Sequence, residues 1–215
     1  MRKFSADLDK ERVQKLYKFE DATRAKGFKL IAGVDEAGRG SLVGSVVVAA
    51  VILPDDLYLE RLDDSKKLSA KVREELYDKI IEAAISYSCV EVSIEEVDSL
   101  NVYQATLKGM KRAVEGLDVQ PDFVLTDAMH VDFKDIATQP IIHGDRLSAS
   151  IAAASIIAKV TRDRFADQWA KKYPGYGFEH NRGYGTQEHL AAIERLGASP
   201  IHRRSFNPVK SMLRR

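Results

Sequence analysis

Residues 28–54 read FKLIAGVDEAGRGSLVGSVVVAAVILP, two apolar runs joined by a glycine-studded turn. The first run, Phe28 to Val34, predicts a strand whose end carries Asp35 and Glu36. The second, Val46 to Leu53 closed by Pro54, shows no apolar–polar alternation, the mark of a strand buried on both faces. Successive strand side chains point to opposite faces, so a regular strand cannot aim both Asp35 and Glu36 at one point. Gly38 and Gly40 therefore predict that the strand ends or bulges there. Gly38-Arg39-Gly40 offers bare backbone beside a cation, or simply a tight turn. It is not a nucleotide loop: Val43 stands where the dinucleotide fingerprint needs glycine, and no Lys-Ser/Thr pair follows.

On either side of this stretch the pattern alternates helix and strand. Leu8, Val13, Leu16, Tyr17 and Phe19 predict an amphipathic helix over 8–26, ended by Gly27. Ser69 is placed to cap a helix from Ala70 to about Ala84, and Ser86–Ser93 reads as a third strand. Ile94–Gly116 reads as helical with a break near 98–101, followed by short strands at Phe123–Asp127 and Pro140–His143. The longest helix runs from Ser148 to about Lys172, with an apolar face of small residues suited to lying close on a sheet. Residues 173–186 read as turn-rich loop, and Gln187–Leu196 as a short helix stopped by Gly197. Strands first, then strands mixed with helices, predict an α/β domain with a mixed sheet.

Asp35, Glu36, Asp127 and Asp145 fall at strand ends or beside the long helix, where α/β sheets bind ligands. Taken singly, each reads as a solvated surface carboxylate; the set of four at element ends shifts the reading toward a site. Converged, they would repel one another unless a cation sat among them, and oxygen donors without cysteine suit Mg²⁺ or Mn²⁺. Lys66 and Lys67 precede the Ser69 helix and are candidates for phosphate contact, or for plain solvated charge. Tyr173, Tyr176, Phe178 and Tyr184 interleave with Gly and Arg182, a composition for base or sugar stacking or for a small aromatic core. His143 lies two residues from Asp145 and is the one histidine placed near the site; the other four read as structural or surface residues. Cys89 reads as a core thiol.

The formal charge of +1 conceals a division. Residues 1–30 hold 9 basic and 5 acidic side chains, 31–158 hold 12 and 22, and 159–215 hold 12 and 5. A basic surface beside an acidic one is one outcome, and charges spread over solvated faces is the other. No apolar run approaches the ~18 residues of a membrane helix, and residues 1–10 lack the apolar core of a signal peptide. A single cysteine excludes an internal disulfide and favours the cytoplasm. Monomer is the default.

Taken together, GVDEAGRG (33–40), DSKKLS (64–69), GD (144–145), SIAAASIIAKVTRDR (150–164), YPGYGF (173–178), GYGT (183–186) and HRRSFNP (202–208) resemble bacterial ribonuclease HII from about residue 10 to 209. The related HIII type lacks the Gly-Arg-Gly turn. The resemblance implies a ribonuclease H-like mixed sheet flanked by helices, with a C-terminal helical extension. It divides the chain into an N-terminal helical segment (1–29) and a catalytic domain with a basic tail (30–215). The implied activity is endonucleolytic cleavage of RNA in RNA–DNA hybrids and 5′ of ribonucleotides embedded in duplex DNA, as in replication and ribonucleotide excision repair. Another metal-dependent nuclease of the same fold is the alternative. By position, Asp35, Glu36, Asp127 and Asp145 match the family's metal ligands, with Asp35 the candidate bridge between two Mn²⁺ or Mg²⁺ ions about 4 Å apart. Gly38, Arg39 and Gly40 match the turn that senses the 2′-OH, and Tyr184 the tyrosine that stacks on the sugar at the RNA-to-DNA junction. Ser41 and Ser45 stand where the family usually has proline, Arg182 where it has lysine, and Ala128 where glycine is common.

Overall fold

A computed structural model describes residues 5–213. Five strands form one sheet: β1 (Ile31–Ala37), β2 (Val46–Ile52), β3 (Ser86–Val92), β4 (Phe123–Asp127) and β5 (Ala137–Ile141), in the spatial order β3-β2-β1-β4-β5. β1, β2 and β3 pair antiparallel, while β4 runs parallel to β1 and β5 parallel to β4. The helices, in chain order, are α1 (Ala6–Leu16), α2 (Lys18–Arg24), α3 (Ala70–Ala83), α4 (Ile94–Leu100), α5 (Val102–Glu115), α6 (Ala149–Lys172), α7 (Phe178–Asn181), α8 (Gln187–Leu196) and α9 (Val209–Met212).

β2 has a different core on each side, which explains its unbroken apolar run. Val47, Ala49 and Val51 pack against α6, α3 and α1, whereas Val46, Val48, Ala50 and Ile52 pack against α5. The small residues of α6 let it lie directly on β1. A Cβ built at Gly33 would sit 2.1 Å from the Ser150 carbonyl carbon, so only glycine fits there. The α6 N-terminus is tied down by α2: the Glu20 carboxylate accepts from the Ser150 N–H at 2.9 Å and from the Ser148 and Ser150 hydroxyls. A third cluster joins Leu42 and Val43 to Tyr176, Phe178, Ala192, Ile193 and Val209 and docks the C-terminal helices.

Several predicted elements differ from those formed. The helix over 8–26 divides at Tyr17, a buried side chain whose hydroxyl donates to the Leu57 carbonyl. The last strand is Ala137–Ile141 rather than 140–143; it lies at the sheet edge, where Pro140 is tolerated. His143 falls after it, in the left-handed region. The loop at 173–186 contains α7, and Tyr176 and Phe178 are core residues. The break within 94–116 falls at Asn101, whose side chain caps α5. Arg214 and Arg215 of the basic tail lie outside the described residues.

Candidate active site

β1 does not bulge after Val34. Its register runs through Asp35↔Ala49, Glu36↔Val48 and Ala37↔Val47, so the alternation of faces persists and Asp35 and Glu36 diverge. Asp35 turns to the α6 side. The parallel register Val34↔Thr126 places Asp127 one step further on, beside it on the same face. Asp145 arrives from a 3₁₀ turn, Gly144–Arg146, immediately before α6, and the Gly144 N–H donates to Asp127 Oδ1 at 2.7 Å. One carboxylate oxygen from each of Asp35, Asp127 and Asp145 lies within 4.8 Å of the others. Glu36 stands outside that trio, with Oε1 accepting from Arg39 Nη1 at 3.1 Å and Oε2 buried without a partner.

Burial and mutual repulsion set the electrostatics. Asp35 is held well above the usual carboxylate range by burial, then by the charges of Glu36 and Asp127. Glu36 is raised by burial despite Arg39. Asp145 is raised by burial and by Asp127 and Asp64. One ammonium answers them: Lys66 Nζ is 3.5 Å from Asp145 Oδ2, and although burial opposes its charge, Asp145, Asp35 and Asp64 pull its pKa up. Behind it Asp64, wholly buried, accepts from the Lys66 N–H at 2.9 Å and from Arg146 Nε at 3.0 Å.

A cleft of about 440 Å³ opens beside the carboxylates, lined by Glu36, the Gly38–Gly40 turn, Ser65, Lys66, Ser155, Lys159 and Tyr184. Gly38 has φ +96° and packs against Arg162, whose Nε would lie 2.5 Å from an added Cβ. The half-exposed Tyr184 ring faces Gly40 across the cleft.

Two basic candidates for substrate binding, Lys67 and Arg182 (which stands where the family has lysine), do not line the cleft. Lys67 turns to Asp63, 2.9 Å away, because adjacent residues of the short 3₁₀ helix point in different directions. Arg182 spends its guanidinium on Asp167 and on the Asp163 carbonyl. His143 does not line the cleft. Three lining residues were not singled out by sequence. Lys159, read only as part of the basic C-terminal half, has its pKa pushed down by burial and donates to Asp163 at 2.6 Å. Ser65 and Ser155 share a hydrogen bond of 2.8 Å, and Ser155 lies close enough to Asp35 to favour its charged form. The available signal was a lone serine inside the apolar run AAASIIA.

The family model for ribonuclease HII matches residues 32–209. A ribonuclease HII of Enterococcus faecalis is 51% identical over 210 residues, covering 96% of this chain and 82% of its own length. One from Bacillus licheniformis is 52% identical over 202 residues, covering 94% and 79%. Among solved structures, ribonuclease H2 from Pyrococcus horikoshii superposes with a TM-score of 0.73 at 27% identity, over 86% of this chain and 97% of that one. Ribonuclease HIII in complex with Mn²⁺ shares the fold at TM-score 0.59 and 17% identity, over 86% and 69%.

Proposed function

The chain belongs to the ribonuclease HII family, metal-dependent hydrolases of RNA in RNA–DNA hybrids, and we propose that Asp35, Glu36, Asp127 and Asp145 perform this work by holding two divalent ions, Mn²⁺ or Mg²⁺. The observation that carries the proposal is the gathering of three aspartate oxygens within 4.8 Å beside the Lys66 ammonium. The donors fit a hard cation: all are carboxylates, two of the three aspartates are nearly wholly buried, and Glu36 adds a buried oxygen without a partner. Bound there, such ions supply acidification of the attacking water and neutralisation of the leaving 3′ oxygen.

The chain's own groups do the rest. The Glu36 N–H fixes the Asp35 carboxylate, with Ser155 close by favouring its charge, and the Gly144 N–H fixes Asp127. Lys66 and Lys159 supply positive charge to a phosphate lying in the cleft. The Gly38–Gly40 backbone meets the 2′-OH, and polar groups built to bond a hydroxyl reject its absence strongly. The Tyr184 ring stacks on the following sugar, so that cleavage falls 5′ of a ribonucleotide embedded in DNA. Lys67 and Arg182 serve at most the outer phosphate path. We read the enzyme as a cytoplasmic monomer. Among the described residues no helix is long and apolar enough to cross a membrane.

The test is a duplex with one ribonucleotide, its products mapped to the nucleotide. A single cut 5′ of the ribonucleotide, with 5′-phosphate and 3′-hydroxyl ends, is expected; cutting of an all-DNA duplex at equal rate would favour another nuclease of this fold. Asp35→Asn is expected to abolish cleavage with Mg²⁺ or Mn²⁺ while hybrid binding persists, and full activity in that variant would sink the metal assignment.

A further inference from the structure

Ser41, wholly buried, sits between the two turns that face each other across the cleft. Its Oγ accepts from Arg162 Nη2 at 2.8 Å and lies 2.9 Å from the carbonyls of both Gly183 and Val43, to which its proton is donated. Gly183 directly precedes Tyr184, and the same carbonyl takes the Leu42 N–H at 2.9 Å. In the other direction the Ser41 N–H donates to the Gly38 carbonyl at 3.2 Å, closing the turn that presents Arg39 and Gly40. Arg203 Nη1 clamps the Arg39 and Ser41 carbonyls at 2.9 and 2.8 Å. A hydroxyl is both donor and acceptor, so one small group satisfies a buried guanidinium and a carbonyl of the opposite turn together. The outcome is seen at the cleft, where a Cβ on Gly40 would lie 3.7 Å from Tyr184 Cε1.

We propose that the Ser41 hydroxyl is a positioning residue for recognition of the RNA-to-DNA junction: it sets the spacing between the Gly38–Gly40 turn and Tyr184. The proposal rests on the assignment of those two turns to the 2′-OH and the following sugar. Ser41 is not among the cleft-lining residues, and the aspartates are held by other bonds. Its removal therefore loosens the sensor and leaves hydrolysis itself intact. A continuous RNA strand presents a 2′-OH at every step and depends little on the spacing. A single ribonucleotide offers one productive register and depends on it strongly.

Ser41→Ala and Ser41→Cys, the second keeping the volume with a poor hydrogen-bonding group, are assayed with Mg²⁺ beside Tyr184→Ala. The substrates are a single-ribonucleotide duplex and an RNA–DNA hybrid of equal length. For both Ser41 variants kcat/KM on the single ribonucleotide falls about five- to tenfold, mostly through KM, the size of one buried hydrogen bond. On the hybrid it stays within about twofold, and melting temperatures fall by about 3–8 °C while folding persists, because the buried guanidinium and carbonyls lose a partner. Tyr184→Ala loses the same preference. If the Ser41 variants keep the parent ratio while Tyr184→Ala loses it, the Ser41 role is overturned and the junction assignment stands. If Tyr184→Ala keeps the ratio too, the junction assignment falls and the Ser41 role with it. Equal losses on both substrates, or collapse of both folds, would make the hydroxyl merely structural and overturn the proposal.

Discussion

His189 and His202 are buried side by side with Nε2 atoms 3.2 Å apart, and their neighbours fix every proton. His189 Nδ1 lies 2.9 Å from the Tyr184 carbonyl, which only accepts, so that nitrogen carries hydrogen and Nε2 is bare. His202 Nε2–H then donates to it, and His202 Nδ1 receives the Ser199 N–H at 2.9 Å and hydroxyl at 2.8 Å. Both rings are neutral. A proton added at His202 Nδ1 would meet the Ser199 N–H head-on; burial, aided by His189, pushes its pKa down to about 4. The unfolded chain, titrating near 6.5, takes the proton first as pH falls. Stability is thus complete above pH 6.5, declines between 6.5 and 4, and levels below, a loss of about 3 kcal/mol from this ring. Denaturant unfolding at pH 7 and pH 4.5 is expected to show a markedly smaller difference in His202→Gln than in the parent; equal differences would refute the assignment. Sequence left these two histidines as structural or surface residues, because a pairing across 13 residues has no local signature. Asp35, Asp127 and Asp145 were legible in part: their place at element ends raised the idea of a site while leaving a solvated role open, and the family resemblance supplied the assignment.

At the scale of elements the site depends on how closely α6 lies on β1. Gly33 faces backbone rather than a side chain that can swing aside: Ser150 C at 2.1 Å, Ile151 N at 2.2 Å and Ser150 O at 2.5 Å from a built Cβ. Gly33→Ala must therefore push helix and strand apart, at a cost of about 3 kcal/mol or more. Because Asp35 is two residues along β1 and Asp145 four before Ala149, the shift also spreads the aspartates. The variant is expected to melt well below the parent and to need more Mg²⁺ for half-maximal cleavage; an unchanged melting temperature would show that the contact is not tight. The small-residue face of α6 announced this close approach, and β2 announced its burial, because both are periodic patterns of many residues. The boundaries of β5 were not legible, since an edge strand with Pro140 pairs through one side only and leaves no alternation to read. Of the two readings at Gly38 and Gly40, an end or a bulge, the strand ends, at Ala37, but the β2 ladder holds the register that far and keeps Asp35 and Glu36 on opposite faces.

Across the whole molecule the near-zero charge hides where the acidic excess sits. Residues 31–158 carry 22 acidic against 12 basic side chains, and the fold brings oxygens of three of those carboxylates within 4.8 Å of one another, with Lys66 the one cation paired to them among the described residues. A mixed sheet was legible in the order of elements. The convergence was not, because it depends on β4 lying parallel beside β1, a pairing between residues some 90 positions apart that no local pattern encodes. The convergence has a thermodynamic cost. Lys66 is 73% exposed, so its pair with Asp145 adds little, whereas Asp145 is 4% exposed and its repulsion with Asp127 and Asp64 is poorly screened. Burial and repulsion together outweigh that pair, so on the proposed metal assignment the site without its ions is a destabilised one. Asp145→Asn is therefore expected to raise the metal-free stability by about 1 kcal/mol, as relief of a destabilised site commonly does. A divalent ion binding only the folded state would stabilise the parent by mass action, and on the proposed assignment of Asp145 the variant gains less. Melting temperatures measured in chelator and in excess Mg²⁺ should thus converge from both sides: the variant starts higher and rises by less than half as much. A variant less stable than the parent in chelator would mean that the Lys66 pair outweighs the repulsion, and a full Mg²⁺ response would remove Asp145 from the metal site.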